Sequence, residues 1–158
     1  MRLTPDNNRG VDSDLRQSPN NNRSYDAKIA KIRQYTEIIL RRLLEYPCDK
    51  NIEIGNTRTT EKLDKKGYVE EFFRSSLEVI RKLGNERTHT KYRKLANEEE
   101  YREVEDSLLN IYAYLYYRFF LKYEFGSNSQ IVSHFSLLPP IIREKTLEAL
   151  FKKDSSTV

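Results

Sequence analysis

Residues 98–123 read EEEYREVEDSLLNIYAYLYYRFFLKY, and this stretch decides the fold class. Asn97 before it is a good helix N-cap, and the three glutamates that follow suit the positive end of a helix dipole. Apolar and aromatic residues then recur at helical spacing. The central stripe comprises Val104, Leu108, Ile111, Leu115 and Phe119, and beside it lie Tyr112, Tyr116, Tyr117, Phe120 and Tyr123. A face of this size has to be buried, so the stretch predicts a long helix whose aromatic side forms the core or a subunit interface.

Two strong helical patterns precede this helix. The first runs from Tyr25 to Pro47, which ends it because proline cannot continue a helix. The second covers residues 68–83 and is followed by Gly84, where a C-terminal cap belongs. The apolar stripes comprise Ile29, Ile32, Ile39, Leu40, Leu43 and Leu44 in the first pattern, and Val69, Phe72, Phe73, Leu77, Ile80 and Leu83 in the second. Both patterns are typical of amphipathic helices.

Shorter helices are expected around these three. One is expected over residues 60–66, where Gly67 stops it. Residues 126–129, GSNS, interrupt the chain after the long helix, and Pro139 and Pro140 can open a last helix. The apolar face of that last helix comprises Ile141, Ile142, Leu147, Leu150 and Phe151. It either packs on the body of the protein or docks a partner.

The composition favours an all-α, cytoplasmic protein. Five glycines and five prolines in 158 residues are too few for a many-turned β fold. Cys48 is the only cysteine, which excludes an internal disulfide framework, and the polar N-terminus does not resemble a secretory signal. The most apolar run, residues 111–121, is too short to span a membrane and contains Arg118. The net charge of +4 permits an acidic partner such as nucleic acid without requiring one.

The chain divides into three parts by composition. Residues 1–24 are polar and contain too few apolar side chains to offset the entropy of ordering, so they predict a flexible tail. Residues 25–125 hold the strong helical patterns and form the main domain. Residues 126–158 are expected to be a C-terminal helical appendage.

Residues 84–89, GNERTH, are the stretch most typical of a functional site. His89 can exchange a proton near neutral pH, and cationic side chains around it can hold a phosphate. Its polar neighbours in sequence are Arg81, Asn85, Arg87, Lys91, Tyr92 and Arg93. This set suits phosphodiester cleavage without a metal, and it equally suits phosphate binding. The chain contains no Gly-rich phosphate loop, no metal-spaced Cys/His cluster and no nucleophile elbow, so we expect neither a cofactor nor a metal.

A structural role for the same segment is the alternative. Gly84 can cap the helix in a left-handed conformation, and Asn85 can turn the chain by bonding its own backbone. His89 can then bond a neighbouring helix end and fix the loop.

The segment IRKLGNERTH, residues 80–89, resembles the HEPN superfamily. The closer similarity is to a branch of unknown function with a G-N-x-x-x-H signature, found in restriction and phage-defence proteins. Residues 32–44, IRQYTEIILRRLL, resemble the first helix of that branch, including its arginine and glutamate. The resemblance covers residues 25–123 and implies a bundle of four to five helices with antiparallel long helices.

Many HEPN proteins are metal-independent endoribonucleases in which two R-N-x-x-x-H motifs face each other across a dimer. Asn85 matches the polar position of that motif and His89 matches the histidine, whereas Gly84 stands at the arginine position. The resemblance implies that His89 is the acid–base group, that Asn85 positions it or the phosphate, and that Arg87 or Arg81 stabilises the transition state. Lys91, Tyr92 and Arg93 would then bind substrate.

The first expectation is therefore a homodimer of stress or phage defence that binds or cleaves RNA. Two copies of His89 would meet across a two-fold axis, and the aromatic face of the long helix would supply the interface. The second is a non-catalytic module that dimerises or docks to a larger defence or restriction complex. The third is a nucleotide-sensing domain whose basic loop holds a phosphate.

Overall fold

A computed structural model of the chain describes residues 19–86, 94–124 and 126–155. Within these ranges the chain forms six helices and no strand, so the all-α class is confirmed. The helices are α1 (Pro19–Leu43), α2 (Thr57–Lys65), α3 (Glu71–Glu86), α4 (Glu98–Lys122), α5 (Ser129–Leu137) and α6 (Pro140–Ser155). None of the six combines the length and the apolar character that a membrane crossing requires.

The start of α4 follows the sequence closely. The side chain of Asn97 accepts a hydrogen bond from the backbone N–H of Glu100, and the Glu100 carboxylate accepts one from the backbone N–H of Asn97, at 2.8 and 3.0 Å. This reciprocal pair satisfies two of the free N–H groups of a helix start. The predicted N-cap is therefore confirmed, and α4 ends one residue before the predicted Tyr123.

Several other boundaries differ from the predictions. α2 covers Thr57–Lys65 rather than 60–66, and α3 begins at Glu71 rather than at residue 68. α1 begins at Pro19, six residues before Tyr25, because proline fits the first turn of a helix and the polar residues after it continue that turn. The same helix ends at Leu43, before Pro47. α3 continues through Gly84 to Glu86, so the predicted helix end at residue 83 and the cap at Gly84 are wrong.

α4 is the central helix of the bundle, since it packs against α1, α3 and α6. Its contacts with α3 join Asn110 to Ser76 and Tyr114 to Glu70, so the two helices run antiparallel, as predicted for the long helices. α1 runs parallel to α4, because the ring of Tyr25 stacks on Tyr101 near the start of both helices, with centroids 5.3 Å apart.

The core is built around the ring of Tyr114, which is fully buried. Phe73 stacks on it at a centroid distance of 4.1 Å, and Phe72 meets it edge to face at 5.5 Å. The buried side of α4 comprises Val104, Ser107, Ile111, Ala113, Tyr114, Tyr117 and Phe120. Of the predicted central stripe, Val104 and Ile111 are indeed buried. The rest of the stripe lies on the half-buried flank of α4, and the prediction did not include Tyr114.

The last two helices cover part of α4. Phe135 of α5 packs against Tyr116 and Phe120, with ring centroids 5.5 and 5.2 Å apart. On α6, Thr146 is fully buried beside Ala113, and Ile142 is buried as well. The last helix therefore packs on the body. The side of α4 that α3 and α5 bury forms part of the core, which was one of the two predicted roles. That side is therefore not a subunit interface, and the prediction of an interface there is wrong.

We expect Tyr114→Phe to lower the free energy of unfolding by about 1 kcal/mol at pH 8. The substitution keeps the buried ring and removes the hydroxyl that donates to Glu70 at 2.5 Å. Denaturant unfolding followed by circular dichroism measures this difference. The control Tyr123→Phe removes an exposed hydroxyl and should change stability by less than about 0.5 kcal/mol.

The same pair should respond to alkaline pH in a defined direction. Burial, and then the bond to Glu70, raise the pKa of Tyr114 above its ordinary value. A raised pKa favours the neutral phenol in the folded state, so its contribution is complete below the unfolded pKa of about 10 and falls as pH rises beyond it. The stability advantage of the wild type over Tyr114→Phe should therefore shrink between pH 8 and pH 11. An advantage that grows with pH would contradict this assignment.

Candidate functional site

Two of the predicted site residues lie in the described structure. Arg81 and Asn85 are one turn apart near the end of α3, so they share one side of that helix. Gly84 lies between them and is buried. The predicted catalytic residues Arg87 and His89 and the predicted substrate-binding residues Lys91, Tyr92 and Arg93 lie outside the described residues, and their roles stay predictions.

Gly84 is the point at which α3 approaches α1. A Cβ atom added to Gly84 would lie 2.8 Å from Cδ and 3.3 Å from Cβ of Arg33 on α1. The first distance is too short for two carbon atoms, so the missing side chain of Gly84 is what admits the Arg33 side chain. Gly84 has no left-handed backbone, unlike Gly55, Gly67 and Gly126. Its role is close helix packing rather than capping.

Arg33 brings a guanidinium group to this contact. Its side chain is only 17% exposed, and its Nε donates to Oε1 of Glu37 at 3.3 Å, one helical turn along α1. Neither Nη atom of Arg33 has a hydrogen-bond partner among the described residues. The stem of Arg33 fills the space beside Gly84.

A polar cleft of about 300 Å³ adjoins this pair. It lies between α1 and the loop before α2, and its lining comprises Arg33, Glu37, Ile38, Arg41, Asn51, Ile52 and Glu53. Arg41 is used structurally, because its Nη1 donates to the backbone carbonyls of Pro47 and Lys50 and holds the loop against α1. The cleft contains two arginines, Arg33 and Arg41, and two glutamates, Glu37 and Glu53. An anionic group can therefore bind in it only next to the arginines.

Arg81 has a different environment from the predicted one. Its Nε donates to Oε2 of Glu78 at 2.7 Å, and Nη2 donates to the other carboxylate oxygen. This bond raises the pKa of Arg81 and lowers that of Glu78. The Arg81 stem also crosses Gly55, where a Cβ atom would collide with its Cδ. Arg81 is not among the residues that line the cleft with Arg33.

Sequence reasoning missed Arg33 and Glu37 as neighbours of the predicted motif. They were noted only as part of the resemblance of α1 to the HEPN first helix. A glycine within a helical stripe was the available signal, because such a glycine commonly marks a close approach of another element. No group of three or more His, Cys, Asp or Glu side chains suited to a metal ion occurs within the described ranges.

The chain matches no protein-family model, no curated protein and no solved structure. A functional proposal for this chain therefore has to rest on its own residues and on the geometry of the contact between α1 and α3.

We expect Gly84→Arg to destabilise the protein by about 1–3 kcal/mol or more. The new side chain would compete with Arg33 for the same space. Thermal unfolding followed by circular dichroism gives the difference. Ser75→Arg is the matched control, because Ser75 is exposed on the same helix, and it should be nearly neutral. Equal stability of the two variants would show that the contact at Gly84 is not tight.

Proposed function

We propose that this chain is a HEPN-like helical protein of stress or phage defence that binds RNA and cleaves it. The observation that carries the proposal is the Arg33 side chain packed on Gly84. The nuclease motif needs a guanidinium group beside its asparagine and histidine. In this chain the motif position has no side chain, and α1 supplies an arginine at the same contact.

The properties of Arg33 suit binding of a phosphodiester. Its Nε is oriented by Glu37, and its two Nη atoms have no partner among the described residues. A guanidinium group held by a carboxylate loses little further freedom when it binds a phosphate. We propose that Arg33, rather than Arg81, stabilises charge on the phosphate, since Glu78 engages both Nε and Nη2 of Arg81, whereas Glu37 engages only Nε of Arg33.

The proposed reaction is transesterification within RNA. The ribose 2′-oxygen forms a bond to phosphorus, the bond from phosphorus to the 5′-oxygen breaks, and a 2′,3′-cyclic phosphate remains. One proton leaves the 2′-hydroxyl and one is delivered to the departing 5′-oxygen. His89 of two copies of the chain would perform these two transfers, so we also propose a homodimer. Its interface would use surface other than the buried aromatic side of α4.

Purified protein incubated with mixed RNA in EDTA tests the proposal. We expect cleavage that leaves cyclic phosphate ends, reduced about 100-fold or more by His89→Ala. Arg33→Gln should reduce the cleavage rate by about 100-fold, because it removes the positive charge beside the phosphate. Arg33→Lys keeps the charge and should retain part of the wild-type rate. EDTA is included because the HEPN resemblance implies cleavage without a metal.

Arg102→Gln is the matched control for Arg33→Gln. Arg102 also pairs with a glutamate one turn away, Glu98, but it lies on the exposed surface of α4. Its loss should leave cleavage unchanged. Cleavage that survives His89→Ala, or that falls equally in the Arg33 and Arg102 variants, would contradict the proposal. Solution scattering at micromolar concentration tests the dimer, and a monomer there would exclude it.

A non-catalytic interaction module is the second candidate. The observation that favours it is the exposure of four large apolar side chains on the last two helices, Leu137, Ile141, Leu147 and Phe151. Such side chains commonly mark a protein contact when they lie together. An absence of cleavage by a folded wild-type protein would favour this candidate over the nuclease.

A further inference from the structure

A second groove lies where α1 and α4 end and where the chain approaches the start of α3. Its volume is about 520 Å³, within the range of small-molecule sites. The lining includes Leu43, Tyr68, Arg118, Phe119, Lys122 and Tyr123. The combination of aromatic rings with two cationic side chains distinguishes this groove from an ordinary apolar depression.

Arg118 is fixed in position at one side of the groove. Its Nη1 donates to the backbone carbonyl of Gly67 at 3.2 Å and to Oε1 of Glu70 at 3.3 Å. The guanidinium group also lies over the ring of Tyr68, 5.1 Å from its centroid. Glu70 is itself held by the hydroxyl of Tyr114 in the core. Because the side chain is already ordered, binding a ligand costs little further entropy.

These contacts use only the Nη1 donor of the Arg118 guanidinium group. Its Nε and Nη2 have no hydrogen-bond partner within the described ranges. Lys122 lies one turn further along α4 and forms no ion pair with another described residue. Glu70 offsets part of the charge of Arg118, so Lys122 gives the groove its net positive character. Two free guanidinium donors beside an ammonium group suit a phosphate.

The end of α4 also offers an aromatic surface to the groove. Tyr123 is 44% exposed, and its ring packs on Phe119 with centroids 4.8 Å apart. The Nζ of Lys122 lies 5.2 Å from the Tyr123 centroid. An exposed ring packed on another ring is a surface on which a nucleobase can stack, provided that the Lys122 ammonium moves from this ring to the phosphate.

We propose that this groove binds a nucleotide, with the base stacked on Tyr123 and the phosphate held by Arg118 and Lys122. The same chemistry is present in a free nucleotide and in one unit of single-stranded RNA. The groove lies at the opposite end of α3 from Gly84, about 20 Å away at 1.5 Å of helix rise per residue. It is therefore separate from the contact between Arg33 and Gly84, and the proposal stands whether or not the chain cleaves RNA.

Isothermal titration of the full chain with adenosine monophosphate tests the proposal, with adenosine as the ligand that lacks the phosphate. We expect adenosine monophosphate to bind about tenfold more tightly than adenosine. Tyr123→Ala should weaken binding about tenfold through lost stacking, and Lys122→Gln should weaken adenosine monophosphate but not adenosine. Both substituted residues are exposed, so both variants should keep the wild-type melting temperature.

Two matched controls separate this groove from general surface effects. Phe151→Ala removes an exposed aromatic ring from α6, and Lys65→Gln removes an exposed ammonium group from α2. Neither should change the affinity. A wild-type chain that binds no adenosine monophosphate at about 10 mM would overturn the proposal. Binding that Tyr123→Ala and Lys122→Gln leave unchanged would overturn it as well.

A single-stranded oligoadenylate of about 12 nucleotides distinguishes the two sources of the ligand. Affinity for the oligonucleotide more than about tenfold above that for adenosine monophosphate, lost in Tyr123→Ala, assigns the groove to RNA. Equal affinities assign it to free nucleotides. Oligonucleotide binding that survives in both groove variants overturns the proposal and places the RNA elsewhere. Cleavage assays with His89→Ala report on the other site, so the two proposals fail independently.

Discussion

The burial of Tyr114 at the centre of α4 is the constraint on which the rest of the fold depends. Its ring fills the space between α3 and α4, and its hydroxyl needs an acceptor that Glu70 supplies from the start of α3. Glu70 then reaches Arg118 one turn further along α4. One buried phenol thus fixes the register of α3 against α4 and orders an arginine at the surface.

The contact between α1 and α3 depends on a different kind of constraint. Here a side chain is missing, and the stem of Arg33 fills the space that Gly84 leaves. The methylene groups of Arg33 pack against Gly84, while Glu37 orients its Nε and the residue lines the cleft between α1 and the loop before α2. A side chain from one helix thus occupies space beside a glycine of another, a contact that the sequence around that glycine does not show.

The sequence predicted the elements whose signals are local. The capping box at Asn97, the helix over residues 98–122 and the existence of α1, α3 and α6 all follow from capping residues and apolar spacing. α5 was missed because residues 129–137 are short and mix serine with apolar residues. Tyr114 was missed because α4 carries apolar or aromatic residues around most of its circumference, so spacing alone does not select the buried side.

The candidate site was predicted only in part for the same reason. Arg81 was correctly placed on the helix before the motif, whereas Asn85 was placed after the helix end and lies within α3. The pairing of Arg81 with Glu78 is a local i,i+3 contact, but its approach to Gly55 joins α3 to the loop before α2, which no local pattern indicates. Whether Gly84 is a helix cap or a packing contact depends on the position of the neighbouring helix, which local sequence signals do not give.

The fit of Arg33 against Gly84 also has a consequence for how this protein can diverge. Positions 33 and 84 lie 51 residues apart in the chain, yet each defines the space of the other. A lineage that acquires a side chain at position 84 has to shorten the one at position 33, or separate α1 from α3. The two positions should therefore change together among descendants of this chain, and an arginine should be found at one of them but not at both.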